Sequence, residues 1–321
     1  MMSGNEDIKR LGEVDMELER LLTEQRNPKT MDIDRKSIIE ILGIINSEDK
    51  LVPYAVEREI PNIAKAVEFV VKSFRMGGRL FYVGAGTSGR LGVIDAAECP
   101  PTFSTPPDLI QAIIAGGKEA VWRAMEGAED DYEAGRNAIM EKGISKKDVV
   151  IGLSTSGRTP FVVAALLEAK RRGAKTVAIS TTPNSKIGKI ADIAITPLVG
   201  PEVIAGSTRM KAGTAEKLVL NMISTTSMIK VGKVYSNLMI DLKPVSEKLR
   251  SRARRILKVL TGVDTKTAHE VFMKAGCNLK VALVMIEADA SREVAEKALA
   301  ESAGVVWKAI EIVRERYKLK G

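Results

Sequence analysis

The sequence predicts an α/β protein in which a doubly wound parallel sheet with flanking helices is followed by a small C-terminal helical bundle. Three observations carry this. Five short apolar runs, at 79–83, 109–114, 148–153, 175–180 and 192–196, alternate with helix-length patterns, as βαβ units require. The runs lead into loops rich in Gly, Ser and Thr, which in a parallel sheet with right-handed crossovers gather at one edge. After about residue 247 the strand pattern stops and a basic, helical texture takes over. These changes divide the chain into an N-terminal helical arm over 1–60, the α/β domain over 61–246 and the bundle over 247–321.

Taken in order, residues 1–30 are polar and charged and read as a loose arm or a first helix with a linker. Over 34–48, Ile38, Ile41, Leu42 and Ile45 form a helical stripe, and 53–76 continues helically with Pro53 and Pro61 near helix starts. The first strand, RLFYV, ends in GAGTSG. The second, LIQAII, ends in AGG and leads to a charged helix over 118–142. The third, DVVIGL, ends in STSG before an amphipathic helix over 159–172. KTVAIS and DIAIT supply the fourth and fifth strands, and a long helix covers 211–230. Turn signals at 261–262, 275–278 and 288–291 cut the remainder into three or four short helices. Its basic cluster, Lys248, Arg250, Arg252, Arg254, Arg255 and Lys258, reads as a solvated helix face.

Composition removes several classes of function. At 321 residues, 45% hydrophobic and 28% charged, the chain can bury a substantial core. Aromatics at 4% argue against a stacking platform for nucleic acid. The net charge of +8 favours acidic partners, whether nucleic acid or small phosphates. Two cysteines, Cys99 and Cys277, supply neither a disulfide framework nor a zinc site and fit a reducing cytoplasm. No stretch of about 20 apolar residues could span a bilayer, and the first 20 residues lack an apolar signal core. With one histidine, His269, a histidine triad or a multi-histidine metal site is excluded. Acid–base chemistry therefore falls to carboxylates, lysines or tyrosines. No metal, cofactor, nucleic acid or membrane is expected.

The loops carry the chemistry. Gly84-Ala85-Gly86-Thr87-Ser88-Gly89 fits GxGxxG between a strand and a helix. A dinucleotide site would need an acid at the end of the second strand, and Ile114-Ala115-Gly116-Gly117 has none. A tight turn explains the glycines but not Thr87 and Ser88. Backbone N–H groups at a helix start with two hydroxyls suit a single phosphate. Ser154-Thr155-Ser156-Gly157-Arg158-Thr159 repeats the arrangement with four hydroxyls, where a plain N-cap needs only one. Neither loop has the order of a nucleotide triphosphatase. A third loop, 206–214, places Ser207, Thr208, Arg209 and Lys211 before the long helix. It reads either as cations near an anion site or as a capped helix start with surface cations. Among the acids, Glu98 closes the helix after the first loop, with Pro100 and Pro101 ending it. Glu126 and Glu129 lie three apart on one face of the 118–142 helix. By spacing alone these are ordinary surface carboxylates. Cys99, with no histidine to activate it, is a bystander.

The run GRLFYVGAGTSGRLGVIDAAECPPTF, then EGAEDD, STSGRTP and GPEVIAGSTRMKAGTAEKLVLNM, resembles the N-acetylmuramic acid 6-phosphate etherases of the sugar isomerase (SIS) superfamily. The early segment IDRKSIIEILGIINSEDKLVPYAVE resembles them too, so the likeness spans about residues 20–320. The animal glucokinase regulatory protein is similar in these segments. The resemblance implies a SIS phosphosugar-binding domain over 61–246 and a ubiquitin-associated-like (UBA-like) bundle at the end. It also implies cleavage of a D-lactyl ether to N-acetylglucosamine 6-phosphate and D-lactate, without metal or cofactor. It puts the family's two functional glutamates on Glu98, the proton donor, and Glu129. Phosphosugar contacts fall on Thr87, Ser88, Ser154, Thr155, Ser156, Thr159 and Ser207. It implies a homodimer as well, since single SIS domains commonly pair.

Elementary chemistry agrees with that implication. In the open-chain sugar, C2 is α to the C1 aldehyde and the lactyl oxygen sits on C3. Removing the C2 proton permits β-elimination, and water then adds at C3. Two carboxylates suffice for these steps. A sensing regulator would have two tandem SIS domains, too many for 321 residues. A phosphosugar isomerase would not carry the etherase blocks, and a SIS transcription factor would need an N-terminal recognition helix that residues 1–76 lack.

Overall fold

A computed structural model describes residues 22–318 apart from 243 and 245, so the first 21 residues of the expected arm lie outside it. By their contacts the residues fall into two compact units. One comprises the chain up to Ala97 together with Asp108–Ile223; the other comprises Glu98–Pro107 and the chain from Ser224 onward.

The first unit is organised by a five-stranded parallel sheet: β1 (Leu80–Gly84), β2 (Ile110–Ile114), β3 (Val149–Leu153), β4 (Lys175–Ile179) and β5 (Ile193–Ile195). Their order is β2-β1-β3-β4-β5. Every residue of β1 and β3 is buried, which is why these strands are continuous apolar runs rather than alternating ones. One sheet face packs Phe81, Val83 and Val150 against Ile139 of α5 (Tyr132–Glu141) and Phe161, Val162 and Leu166 of α6 (Pro160–Arg171). On the other face Tyr82 donates from its hydroxyl to Asp95 of α4 (Gly86–Phe103) at 2.8 Å. Helices α1 (Ile38–Asp49), α2 (Val52–Glu57) and α3 (Ile60–Arg75) precede the sheet. A Ser37/Glu40 capping box starts α1, and α3 buries Ile63, Ala66, Val67 and Val70. A short α7 (Lys186–Ile190) follows β4, and α8 (Lys211–Lys230) follows β5.

The register sets the site. Gly84 at the end of β1 lies opposite both Ile114 of β2 and Leu153 of β3, so three loops leave the sheet at one level. From β1 the chain steps to β2 on one side, and from β3 to β4 on the other. That reversal opens a crevice between the loops after β1 and β3, where open α/β sheets bind ligands.

Two expectations are corrected here. Residues 118–142 are not one helix. Short 3₁₀ turns at Lys118–Val121 and Ala128–Asp130 precede α5, because Gly117 and Gly127 adopt φ of 70° and 74°. Asp131 then caps α5, accepting from the Ala134 N–H at 2.8 Å, so Glu126 and Glu129 do not share a helix face. Nor do Pro100 and Pro101 end α4, which continues to Phe103. The fixed φ of proline suits a helix; the missing N–H groups only thin the ladder, and the Ser104 N–H donates to the Pro100 carbonyl at 2.9 Å.

In the second unit five helices are described where the sequence predicted three or four: α9 (Glu247–Thr261), α10 (Thr265–Lys274), α11 (Leu279–Glu287), α12 (Arg292–Glu301) and α13 (Val306–Lys318). They bury Ile256, Leu257, Phe272, Leu283 and Ile310 in a common core. Gly262 and Cys277, at φ of 73° and 61°, break the chain between the first three. A two-stranded ribbon, β6 (Val234–Tyr235) with β7 (Leu238–Met239), was not expected. Lys248, Arg250, Arg252 and Arg255 are exposed on α9. No helix among the described residues is long and apolar enough to cross a membrane.

Candidate active site

The loops after β1 and β3 meet over the crevice and enclose a cavity of about 240 Å³. The first loop contributes Gly86, Thr87 and Ser88, and the second Ser154, Thr155, Ser156 and Thr159. Glu129 enters from the 3₁₀ turn after β2. A wider cleft of about 760 Å³ shares Glu129, Ser156 and Thr159 and adds Arg158, Asn184 and Lys186.

Close packing forces these loops into shape. A Cβ on Gly84 would lie 2.7 Å from the Gly89 nitrogen, so only glycine lets the chain turn directly into α4. Thr87 and Ser88 therefore occupy the first turn of an 18-residue helix, where backbone N–H groups lack intrahelical partners and the dipole is positive. In the second loop the Ser154 hydroxyl accepts from the Gly157 N–H at 3.0 Å and bonds the Thr159 hydroxyl at 2.8 Å. Gly157 has φ of 69°, and a Cβ there would lie 2.2 Å from the Ser185 Cβ. The Thr155 carbonyl accepts from the Thr181 N–H at 3.1 Å and the Thr182 hydroxyl at 3.0 Å. Ser154 thus spends its hydroxyl on the loop itself.

Behind the first loop, Ser88 Oγ lies 3.0 Å from Glu216 Oε1. Glu216 is fully buried, and its Oε2 has no hydrogen-bond partner among the described residues. Burial pushes its carboxyl up to about 8, against the smaller opposing effect of the Ser88 hydroxyl.

Seven of the nine residues expected from the sequence line one cavity: Thr87, Ser88, Glu129, Ser154, Thr155, Ser156 and Thr159. Ser207 does not line it. The tight turn there, with the Thr208 N–H donating to the Gly206 carbonyl, presents Gly206 and Thr208 instead. Glu98 is exposed near the end of α4 and belongs to the second unit. Lys211, for which the sequence left open a cation near an anion site or a surface cation, is 1% exposed; its ammonium donates to Glu48 at 2.7 Å and its backbone N–H to Glu202 at 3.0 Å. Sequence reasoning missed Thr23 and Glu24, which line the cavity because the Gly206 N–H donates to the Thr23 carbonyl at 2.9 Å. Nothing local marks these two in a polar arm. Glu216 left a signal that was not used, a lone carboxylate in the apolar stripe of α8. Among the described residues no group of three or more His, Cys, Asp or Glu could hold a metal ion.

The parallel sheet and its helix-start loops define a SIS-domain protein. The SIS domain profile matches residues 132–225, and that of the glucokinase regulatory protein N-terminal SIS domain matches residues 62–170. The chain belongs to the N-acetylmuramic acid 6-phosphate etherase family. It is 54% identical to the etherase of Caldanaerobacter subterraneus subsp. tengcongensis over 92% of this chain and 97% of that one. It is likewise 54% identical to that of Salinibacter ruber, over 92% and 95%. Among solved structures, phosphoheptose isomerase GmhA from Neisseria gonorrhoeae superposes with a TM-score of 0.47 at 18% identity, covering 60% of this chain and 98% of that one.

Proposed function

We propose that this chain is a carbon–oxygen lyase that cleaves the D-lactyl ether of N-acetylmuramic acid 6-phosphate to N-acetylglucosamine 6-phosphate and D-lactate. Membership of the etherase family carries this reading. A cavity with two helix starts, a ring of hydroxyls and a carboxylate supports it, because a phosphate monoester needs donors and a positive terminus.

The 6-phosphate lies against Thr87, Ser88, Ser156 and Thr159, with Ser154 and Thr155 shaping their loop. Anchoring that end holds the open-chain C2 and C3 against the acids, converting proton transfer into a step within the complex. A carboxylate takes the C2 proton, and the electrons expel the lactyl oxygen from C3. A proton from Glu98 completes the leaving lactate. Water then adds at C3 of the unsaturated aldehyde and a proton returns to C2, so one water is consumed per ether cleaved. Glu129, which lines the phosphate cavity, is the partner of Glu98 in this acid–base cycle. The working form is a homodimer, a reading favoured by the exposed Ile38, Ile39, Leu42 and Tyr54 on α1 and α2. It works in the cytoplasm, in the breakdown of cell-wall amino sugars.

The test is incubation with N-acetylmuramic acid 6-phosphate in deuterated water. D-lactate should appear together with product carrying deuterium at C2. Lactate release with C2 never exchanging would mean direct displacement at the ether, and no lactate at all would remove the activity.

A further inference from the structure

We propose that Glu216 is a positioning residue of the phosphate anchor: its buried carboxyl holds a proton and donates it in a hydrogen bond to Ser88 Oγ, so that the Ser88 O–H points at the anion. This deepens the proposed function and rests on its placement of the phosphate against Ser88.

The geometry comes first. On α8 the buried stripe runs through Ala212, Ala215, Val219, Leu220 and Ile223, all within 1% of complete burial, and Glu216 sits in its middle. An ionised carboxylate there would need charged or multiple donors. Among the described residues Glu216 has one hydrogen-bond partner, the Ser88 hydroxyl at 3.0 Å, and its other oxygen has none.

Several charged groups on the surrounding elements are engaged elsewhere, and Arg209, in the loop before α8, is exposed. Lys211 pairs with Glu48, and Lys217, on the same helix, with Asn221. Glu202 accepts from the Lys211 and Ala212 N–H groups. On α4, Arg90 donates to the Val121 and Arg123 carbonyls, and Asp95 accepts from Tyr82 and Asn221. Glu24 and Glu129, which line the cavity, are acids and cannot neutralise a carboxylate. Burial accordingly raises the Glu216 carboxyl to about 8.

A hydroxyl has one proton. When the carboxyl is ionised it must accept from Ser88, and the phosphate loses that donor while gaining a negative charge behind it. When the carboxyl is protonated it can donate to Ser88 Oγ, and the Ser88 proton is released to the phosphate. The protonated form therefore binds the anion, and the ionised form opposes it.

Glu216→Gln reproduces the protonated form, since its amide N–H can donate to Ser88 Oγ and does not titrate. Affinity for N-acetylglucosamine 6-phosphate would be measured by calorimetry between pH 7 and 9.5, above the second ionisation of a phosphate monoester at about 6. KM and kcat for lactate release would be followed alongside. In the wild type, Kd and KM should rise roughly tenfold as pH passes about 8, with kcat steady. Glu216→Gln should hold the low-pH affinity across the range. Glu216→Ala, which removes the competing acceptor, should likewise show no alkaline step. An alkaline loss of affinity as large in Glu216→Gln as in wild type overturns the proposal. Ser88→Ala separates the two readings. If it binds like wild type, the anchor assignment fails and this proposal with it; if it binds weakly while Glu216→Gln still shows the alkaline step, only the role of Glu216 fails.

Discussion

Ser88 and Glu129 face the same cavity from different secondary elements, and their substitutions should separate binding from chemistry. Ser88→Ala removes one donor to a charged oxygen, worth about 1–3 kcal/mol, so KM should rise about tenfold or more with kcat little changed. Glu129→Gln keeps size and polarity but cannot exchange protons. It should lower kcat by roughly 10²–10⁴-fold while substrate still binds, because the phosphate is held by the loops. Steady-state kinetics on both variants tests this, and a Glu129→Gln enzyme with unimpaired kcat would take Glu129 out of the chemistry. The hydroxyls of both loops stood out in the sequence because each helix start carries more of them than capping explains. Glu24 did not, because a tertiary contact brings the arm to the cavity. Neither reading of Lys211 foresaw its burial, which depends on Glu48, 163 positions away.

At the scale of elements, β1 and β3 were legible because burial on both faces leaves them apolar throughout, and the loops followed from the strands. The stretch at 118–142 was misread because helix-forming composition on either side conceals what Gly127 does with a positive φ, and that break is what aims Glu129 at the cavity. The attachment of α1 to the start of α8 yields a stability prediction. Burial raises the Glu48 carboxyl, but hydrogen bonds from Lys211, Lys29 and Asn27 outweigh it and hold it at about 2, against an ordinary 4.5. A depressed folded-state pKa gives stability that is complete above about 4.5 and is lost as pH falls toward about 2. Glu48→Gln should lose that dependence. It should also destabilise at neutral pH by about 3–5 kcal/mol, because it strands the buried Lys211 ammonium. Denaturant unfolding at pH 7 and at pH 3 checks both, and a variant as stable as wild type at pH 7 would mean the pair is energetically idle.

For the whole molecule, the proposed role of Glu98 requires it to reach a substrate. Ten residues of α4 separate it from Ser88, a rise of about 15 Å, longer than the phosphate-to-C2 part of one hexose phosphate. Ile94, one turn earlier on the same helix face, is an apolar side chain left 58% exposed. The proposed homodimer would account for both facts if each site took its Glu98 from the second copy, and subunit exchange tests it. Glu98→Gln and Glu129→Gln should each be nearly inactive alone. In a heterodimer of the two, one site has both substitutions and the other has neither. Random exchange makes half the dimers mixed, each with one intact site, so activity should recover to about a quarter of wild type. If each chain instead supplied both glutamates to its own site, every site in the mixture would carry one substitution and nothing would recover. Recovery should track the fraction of mixed dimers, measured by native mass spectrometry. Exchange without recovery would place both acids on one chain.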